Sequence, residues 1–115
     1  MKFTFAHNNL NVYDLEKSLD FYQKALNLKV EREKLADDES FKLVYLTDGV
    51  TRHLLELTWL RDMDRPYELG DNEIHLAFTT DDMASVFQDV ENEEYYYHGR
   101  IYLRAYAEGL DSESR

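Results

Sequence analysis

The first part of the chain alternates between apolar and polar side chains with the two-residue period of a β-strand. Over residues 2–12, every second side chain falls on the same face of an extended backbone. One face carries Ala6, Leu10 and Val12, and the opposite face carries Phe3, Phe5, His7, Asn9 and Asn11. The pattern predicts a strand that presents His7 on the face opposite its aliphatic row.

The period changes from two to about 3.6 residues at Asp14, which indicates an α-helix after the first strand. Aspartate is a preferred N-cap residue, because its carboxylate accepts a hydrogen bond from a free backbone N–H of the first turn. Small and apolar side chains then recur at helical spacing at Leu15, Ser18, Leu19, Tyr22, Ala25 and Leu26. A helix of about three turns is expected to follow the strand.

Three more strands are predicted before residue 61, from runs of apolar and β-branched residues. They cover residues 28–32, 41–47 and 52–60. A charged stretch at 34–40 indicates a solvated turn between the first two, and Asp48-Gly49 is a hairpin signal between the last two. The first half of the chain is therefore predicted to have the order β-α-β-β-β.

The second half begins after a predicted linker. Residues 61–72 contain the only proline of the chain and a glycine, a composition typical of a connection. A strand over 73–79 follows, with His75 opposite its apolar row, and then a short helix over 82–92. Further strands are expected within 95–115, ahead of a polar end.

The two halves share one spacing, which indicates an internal duplication. His7 precedes Asp14 by seven positions, and His75 precedes Asp82 by the same interval. Each half thus combines a strand that bears one histidine with a helix capped by aspartate. The predicted parts of a single structural domain are a first module at 1–60, a linker at 61–72 and a shortened second module at 73–115.

The composition supports a folded domain and narrows the range of its partners. With 115 residues, 43% of them hydrophobic, the chain has material for one packed core. A net charge of −11 repels phosphate backbones and anionic lipids, so no nucleic-acid or membrane partner is expected. No apolar run approaches the roughly 20 residues of a membrane span, and no secretory signal is recognised, which favours a cytoplasmic location.

The candidate chemistry lies in histidine and carboxylate side chains, since the chain has no cysteine. Glu56 is a single carboxylate within an apolar strand, and such a half-buried charge requires a partner. That partner is either an arginine such as Arg52 or a metal ion, unless Glu56 lies at a solvated rim. His7 and His75 are individually either hydrogen-bonded or surface histidines, or ligands. Together, the two histidines and Glu56 favour a nitrogen and oxygen site for Zn²⁺, Ni²⁺ or Co²⁺.

Several motifs occur in a specific order over residues 1–83. They are Phe5-Ala6-His7, Val12, Asp14-Leu15-Glu16-Lys17-Ser18-Leu19-Asp20-Phe21-Tyr22, Ala25-Leu26, Leu43-Val44-Tyr45-Leu46, Leu55-Glu56-Leu57-Thr58, Tyr67-Glu68-Leu69-Gly70 and His75-Leu76-Ala77. In this order they resemble lactoylglutathione lyase (glyoxalase I) of the vicinal-oxygen-chelate superfamily. The resemblance implies an α+β fold in which paired β-α-β-β-β modules, the second one shortened here, form a curved mixed sheet. It also implies a homodimer with each metal site between modules of two chains.

The resemblance further implies four metal ligands, His, Glu, His and Glu, for a divalent Ni, Zn or Co ion. Three of these positions are occupied by His7, Glu56 and His75. The fourth ligand of the family lies on the last strand, and matching Glu108-Gly109 to the preceding turn places Glu113 there. Glu108 itself, or a solvated tail without a ligand, are the alternatives.

The implied reaction is the isomerisation of the hemithioacetal of methylglyoxal and a thiol to an S-2-hydroxyacyl thioester. Glu113 or Glu56 would move the proton between the two carbons. Asn11 occupies the position at which many relatives carry an arginine that holds the carboxylate of the thiol. The thiol is therefore glutathione or another low-molecular-weight thiol. The alternatives are a non-catalytic superfamily member that binds a small molecule or metal, and a dimeric scaffold in which the histidines are merely hydrogen-bonded.

Overall fold

A four-stranded mixed sheet and one helix make up the first part of the molecule. The computed structural model describes residues 1–71, 74–82 and 84–85, and the backbone of 103–105 and 112–114. The elements of the first part are β1 (His7–Val12), α1 (Leu15–Leu26), β2 (Lys29–Leu35), β3 (Phe41–Thr47) and β4 (Leu54–Leu60). They confirm the predicted β-α-β-β-β order.

The strands are arranged across the sheet in the order β1-β4-β3-β2. β1 runs parallel to β4, whereas β3 is antiparallel to both of its neighbours. Helix α1 carries the chain from one edge of the sheet to the opposite edge, and the two hairpins then return it to β1. Strands β1 and β4 therefore become neighbours although they are distant in the sequence.

The core lies on the helix side of the sheet. Its buried residues are Val12, Ser18, Tyr22, Leu28, Val44, Leu46, Leu55 and Leu57. The buried residues of β3 and β4 lie side by side on the same face of the sheet, because Val44 pairs with Leu57 and Leu46 with Leu55. Successive side chains of a strand point to opposite faces, so Glu56 lies on the face away from the helix. We call this the open face.

Helix α1 begins and ends with capping interactions that its sequence encodes. The side chain of Asp14 accepts a hydrogen bond from the backbone N–H of Lys17 (3.1 Å), which confirms the predicted N-cap. At the other end Asn27 adopts the left-handed conformation (φ 54°), and the N–H groups of Asn27 and Leu28 both donate to the carbonyl of Tyr22, that of Leu28 at 3.1 Å. No helix within the described residues is long and apolar enough to cross a membrane.

Replacing Asp14 by Ala is expected to lower the free energy of unfolding by about 1 kcal/mol, because the hydrogen bond from the N–H of Lys17 to the Asp14 carboxylate is lost. Asp14→Asn should retain most of the stability, since Asn caps about as well as Asp. Urea denaturation measures both changes. As a control, Asp20→Ala removes only an exposed pair with Lys24 (2.8 Å), for which about 0.3–0.5 kcal/mol is expected. A loss for Asp14→Ala no greater than this control would contradict the assigned cap.

Three strands differ in their bounds from the sequence prediction. β1 begins at His7, whereas the alternation predicted a strand from residue 2. β2 extends to Leu35 rather than ending at residue 32, because β3 supplies hydrogen-bond partners as far as Lys42. The pairing shifts between Val30 and Arg32, which marks a bulge in this exposed edge strand. β4 begins at Leu54 rather than at residue 52. These differences arise from pairing between strands, which local pattern does not encode.

The connection between β3 and β4 is wider than a two-residue turn. It spans residues 48–53 and is organised by the carboxylate of Asp48. One oxygen of Asp48 accepts hydrogen bonds from the backbone N–H groups of Val50 and Thr51, each at 2.8 Å. These bonds lower the pKa of Asp48. The hairpin is thus confirmed, but the side chain of Asp48, and not a tight turn alone, shapes its loop.

The second part of the chain is described only in segments. The chain divides into the compact units Met1–Gly70 and Asp71–Arg115, and the module boundaries predicted above stay a prediction. Residues 74–80 form neither helix nor strand, so the strand predicted over 73–79 is wrong for the described residues. An alternating pattern of apolar and polar residues does not by itself provide a neighbouring strand, and a β-strand needs a neighbour with which to form backbone hydrogen bonds.

The second unit also contains the start of a helix and a pair of short strands. Asp82 accepts a hydrogen bond from the N–H of Ser85 (3.1 Å), as Asp14 does from Lys17, and residues 84–85 are helical. The rest of the helix predicted over 82–92 lies outside the described residues. Strands β5 (Leu103–Ala105) and β6 (Ser112–Ser114) form an antiparallel pair.

Candidate functional site

The open face of the sheet brings His7 and Glu56 together. His7 opens β1, Glu56 lies in the middle of the parallel neighbour β4, and both point away from the core. The distance between His7 Nε2 and Glu56 Oε2 is 3.6 Å. The side chain of Glu56 is 13% exposed and that of His7 is 38% exposed. A sheltered carboxylate thus faces an imidazole that remains accessible to a ligand.

The other oxygen of Glu56, Oε1, is held by neighbouring side chains. Thr58 donates to Oε1 from its hydroxyl group (3.2 Å). The amide of Asn9 is oriented with its nitrogen toward Glu56, since the reverse orientation would oppose two acceptor oxygens, and it then donates to Oε1 at 2.8 Å. The two oxygens of this carboxylate are therefore not equivalent, because Oε1 accepts hydrogen bonds while Oε2 faces His7.

Tyr45 connects both members of this pair. It lies directly opposite Glu56 in the antiparallel register of β3 and β4. A hydrogen bond from its hydroxyl group to Glu56 raises the pKa of Tyr45, and burial adds to the increase. The ring of His7 meets the ring of Tyr45 edge to face, with centroids 5.5 Å apart. The guanidinium of Arg32 lies 4.3 Å from the centroid of the Tyr45 ring, within cation–π range.

Within the described part of the chain, Glu56 has His7 and no arginine within ion-pair distance. This outcome removes the pairing with Arg52 that the sequence left open. His53, expected at the rim or in solvent, instead lies beside Asn8, with His53 Nε2 2.7 Å from the side-chain oxygen. Its ring also meets that of Phe5 at 4.5 Å. His53 therefore has local partners of its own and is separate from the Glu56 pair.

The His7–Glu56 pair has the donor chemistry of a divalent metal site. Imidazole nitrogen and carboxylate oxygen are common ligands of Zn²⁺ and similar ions, and two ligands that each lie about 2.1 Å from one ion are roughly 3.0–3.4 Å apart. The observed separation of 3.6 Å is close to this spacing. Among the residues that the structure describes, no group of three or more potential ligands is found. The pair thus fits part of a metal site.

The remaining predicted ligands lie in the second unit. His75 is exposed within the segment 74–80. Glu113 lies in β6, where its backbone is opposite Arg104 of β5. Its side chain and all of Glu108 lie outside the described residues. Their part in a metal site stays a prediction.

The sequence did not single out three of the neighbours of Glu56. Asn9 follows His7 by two positions and Thr58 follows Glu56 by two, so strand alternation places each on the open face with its neighbour. That signal could have identified both residues as candidates. For Tyr45 no comparable signal exists, because its proximity to Glu56 depends on the register between β3 and β4.

The fold and the site together define a class: an α+β protein with a mixed sheet that carries a paired carboxylate and imidazole on its open face. Residues 4–101 match the family profile described as Glyoxalase/Bleomycin resistance protein/Dioxygenase superfamily. The chain belongs to this superfamily. Its α+β fold is the one that the sequence predicted.

Two curated relatives and one solved structure illustrate the similarity. The chain is 37% identical over 89 residues to a lactoylglutathione lyase of Neisseria meningitidis serogroup A, covering 76% of this chain and 64% of the relative. It is 31% identical over 86 residues to a lactoylglutathione lyase of Escherichia coli O157:H7, covering 73% of this chain and 63% of that protein. The chain therefore spans slightly less than two thirds of the length of these relatives.

The solved structure is the trypanothione-dependent glyoxalase I of Leishmania major. It aligns with a TM-score of 0.69 at 24% sequence identity, covering 81% of this chain and 68% of that chain. At this level of identity the alignment supports the fold. A shared fold does not define function, which depends on the residues of the site.

Proposed function

We propose that this protein is a metal-dependent, glyoxalase I-like lyase. The observation that carries the proposal is the pairing of His7 with Glu56 on the open face, at 3.6 Å and with the carboxylate largely sheltered. Relatives named lactoylglutathione lyase, at 31–37% identity, support the same activity. The substrate proposed is the hemithioacetal of methylglyoxal and a low-molecular-weight thiol, and the product is an S-2-hydroxyacyl thioester.

His7 and Glu56 would hold a divalent Ni, Zn or Co ion, with His75 and Glu113 as the further ligands proposed. When bound, the ion supplies Lewis-acid polarisation of the neighbouring substrate oxygens. Glu56 suits the binding role because Thr58 and Asn9 hold Oε1 and leave Oε2 directed toward His7. A side chain with fixed orientation loses less conformational entropy when it binds a ligand.

The reaction requires a carboxylate that moves one proton between adjacent carbons. Glu113 or Glu56 is proposed to take the proton from the carbon that carries sulfur and hydroxyl, and to return it to the neighbouring carbonyl carbon. The proton of the hydroxyl group on the first carbon passes to the oxygen of the second, so the first carbon is oxidised to the thioester carbonyl while the second is reduced to the alcohol. Because the two changes balance within one molecule, the reaction needs no nicotinamide or flavin.

The proposed assembly is a cytoplasmic homodimer with each site between modules of two chains. The described His7–Glu56 pair accounts for two ligands, so the other ligands would come from the second unit of the same chain or of a second copy. Asn11 lies on the open face beside Thr58. The side-chain amide of Asn11 carries no positive charge that could bind the carboxylate of the thiol. The thiol is therefore proposed to be either glutathione or another low-molecular-weight thiol.

A thioester-formation assay tests the proposal. We expect the chain, purified without chelator and supplied with Ni²⁺, Zn²⁺ or Co²⁺, to convert methylglyoxal plus one of several thiols to a thioester, followed by ultraviolet absorbance. Chelation should abolish this activity and added metal should restore it. A protein that binds metal but forms no thioester with any thiol would instead be a non-catalytic binding member of the superfamily.

A further inference from the structure

The carboxylate of Glu56 is unusual in this sheet for the number of side chains that converge on it. Three side chains approach it from three strands: Asn9 of β1 and Thr58 of β4 itself donate hydrogen bonds, and Tyr45 of β3 lies directly opposite in the register. Each of these side chains lies on the open face, because each pairs with, or alternates with, Glu56 in the sheet register. We call Asn9, Tyr45 and Thr58 the Glu56 collar.

The collar distinguishes the two oxygens of the carboxylate. Thr58 and Asn9 both bond to Oε1, at 3.2 Å and 2.8 Å. Asn9 also donates to the backbone carbonyl of Glu56 (3.2 Å), so its amide is anchored at two points. With Oε1 engaged in this way, the rotation of the carboxylate is restricted and Oε2 stays directed toward His7.

Tyr45 also contacts the imidazole ring of His7. It lies directly opposite Glu56 in the register of β3 and β4, and its ring meets the ring of His7 edge to face at 5.5 Å. The guanidinium of Arg32 lies over the same aromatic ring, at 4.3 Å from its centroid. Arg32 is therefore a further packing partner of Tyr45, within cation–π range. One phenol is thus in contact with both members of the candidate metal-binding pair.

We propose that Asn9, Tyr45 and Thr58 are positioning residues that preset Glu56, and with it His7, for binding a divalent ion. This inference rests on the proposed function, because it assigns the collar a role through those two ligands. Groups that hydrogen-bond to a metal ligand orient it, and their loss typically weakens metal affinity about 10- to 100-fold. The collar would do so without touching the ion.

Two nearly isosteric variants test the collar. Tyr45→Phe and Thr58→Val each remove one hydroxyl group and keep the shape of the side chain. Co²⁺ titration of the full chain should show an affinity about 10- to 100-fold weaker for each variant, and the visible Co²⁺ spectrum should change as the ligand orientation is relaxed. The matched controls are Tyr13→Phe and Thr4→Val, which remove a hydroxyl group from exposed residues outside the collar.

The outcomes separate this inference from the proposed function. Equal Co²⁺ affinity and identical spectra for Tyr45→Phe, Thr58→Val and the wild type would overturn the positioning role and leave the proposed metal site intact. Failure of the wild-type chain to bind Co²⁺, Zn²⁺ or Ni²⁺ would overturn the proposed function and the collar with it. Urea denaturation of each variant shows whether a change in affinity accompanies loss of the fold, and a weaker affinity at unchanged stability supports the inference.

Discussion

Replacing Glu56 by Gln is expected to abolish divalent-metal retention and, with it, the proposed lyase activity. The variant keeps the size of the side chain but removes the negative charge that faces His7 at 3.6 Å. Because Glu56 is a proposed ligand itself, its affinity loss should exceed the roughly 10- to 100-fold expected for a group that only positions a ligand. Metal analysis after purification and Co²⁺ titration measure the effect.

The Glu56→Gln variant should retain the fold, so a loss of metal binding can be assigned to the lost carboxylate. The donors of the Glu56 collar can bond to the amide oxygen of Gln, so a stability change of about 1 kcal/mol or less is expected. The matched control is Glu33→Gln, which neutralises an exposed carboxylate of β2 that pairs with Lys42 at 3.4 Å. If Glu56→Gln retained metal as well as Glu33→Gln does, Glu56 would not be a ligand.

Replacing Leu57 by Ala should produce the largest loss of stability in the described part of the chain. Leu57 is fully buried and lies at the centre of the sheet, between Leu10 of β1 and Val44 of β3. Truncating a buried leucine leaves a cavity and costs about 2–5 kcal/mol. Since domains of this size are typically stable by about 5–15 kcal/mol, urea denaturation should show a large shift of the midpoint.

A second leucine of the same strand provides the comparison. Leu60 ends β4 and is 37% exposed, so Leu60→Ala opens a smaller cavity and should cost distinctly less than Leu57→Ala. Both variants leave the residues that surround Glu56 unchanged. A cost for Leu57→Ala no larger than that for Leu60→Ala would mean that the core is not centred on β4.

The elements of the first unit could be predicted almost completely from the sequence. The alternation around His7, the N-cap at Asp14 and the apolar run of β3 each predicted the element that the structure contains. These signals are local, because strand and helix periods are encoded by residues within a few positions of one another. The strand predicted over 73–79 shows the limit of such signals, since alternation cannot supply the neighbouring strand that a ladder requires.

The candidate site could be predicted only in part. The sequence predicts His7 and Glu56 as candidates because each is a polar residue opposite an apolar row, and the structure places them together. Tyr45 carried no such signal, although it contacts both. Its role follows from the pairing of Tyr45 with Glu56 across two strands, and a shift of one residue would turn it to the other face.

The sequence by itself determined the order of elements in the first unit, the N-cap of the helix at Asp14 and the face on which His7 and Glu56 lie. Only the tertiary structure decided that β1 lies beside β4, which brings Asn9 to Glu56, and that Tyr45 lies opposite Glu56 in the register of β3 and β4. The physical reason is that the face of a residue depends on the local period of the backbone. Its neighbours across the sheet depend on how distant strands pair to bury a common core.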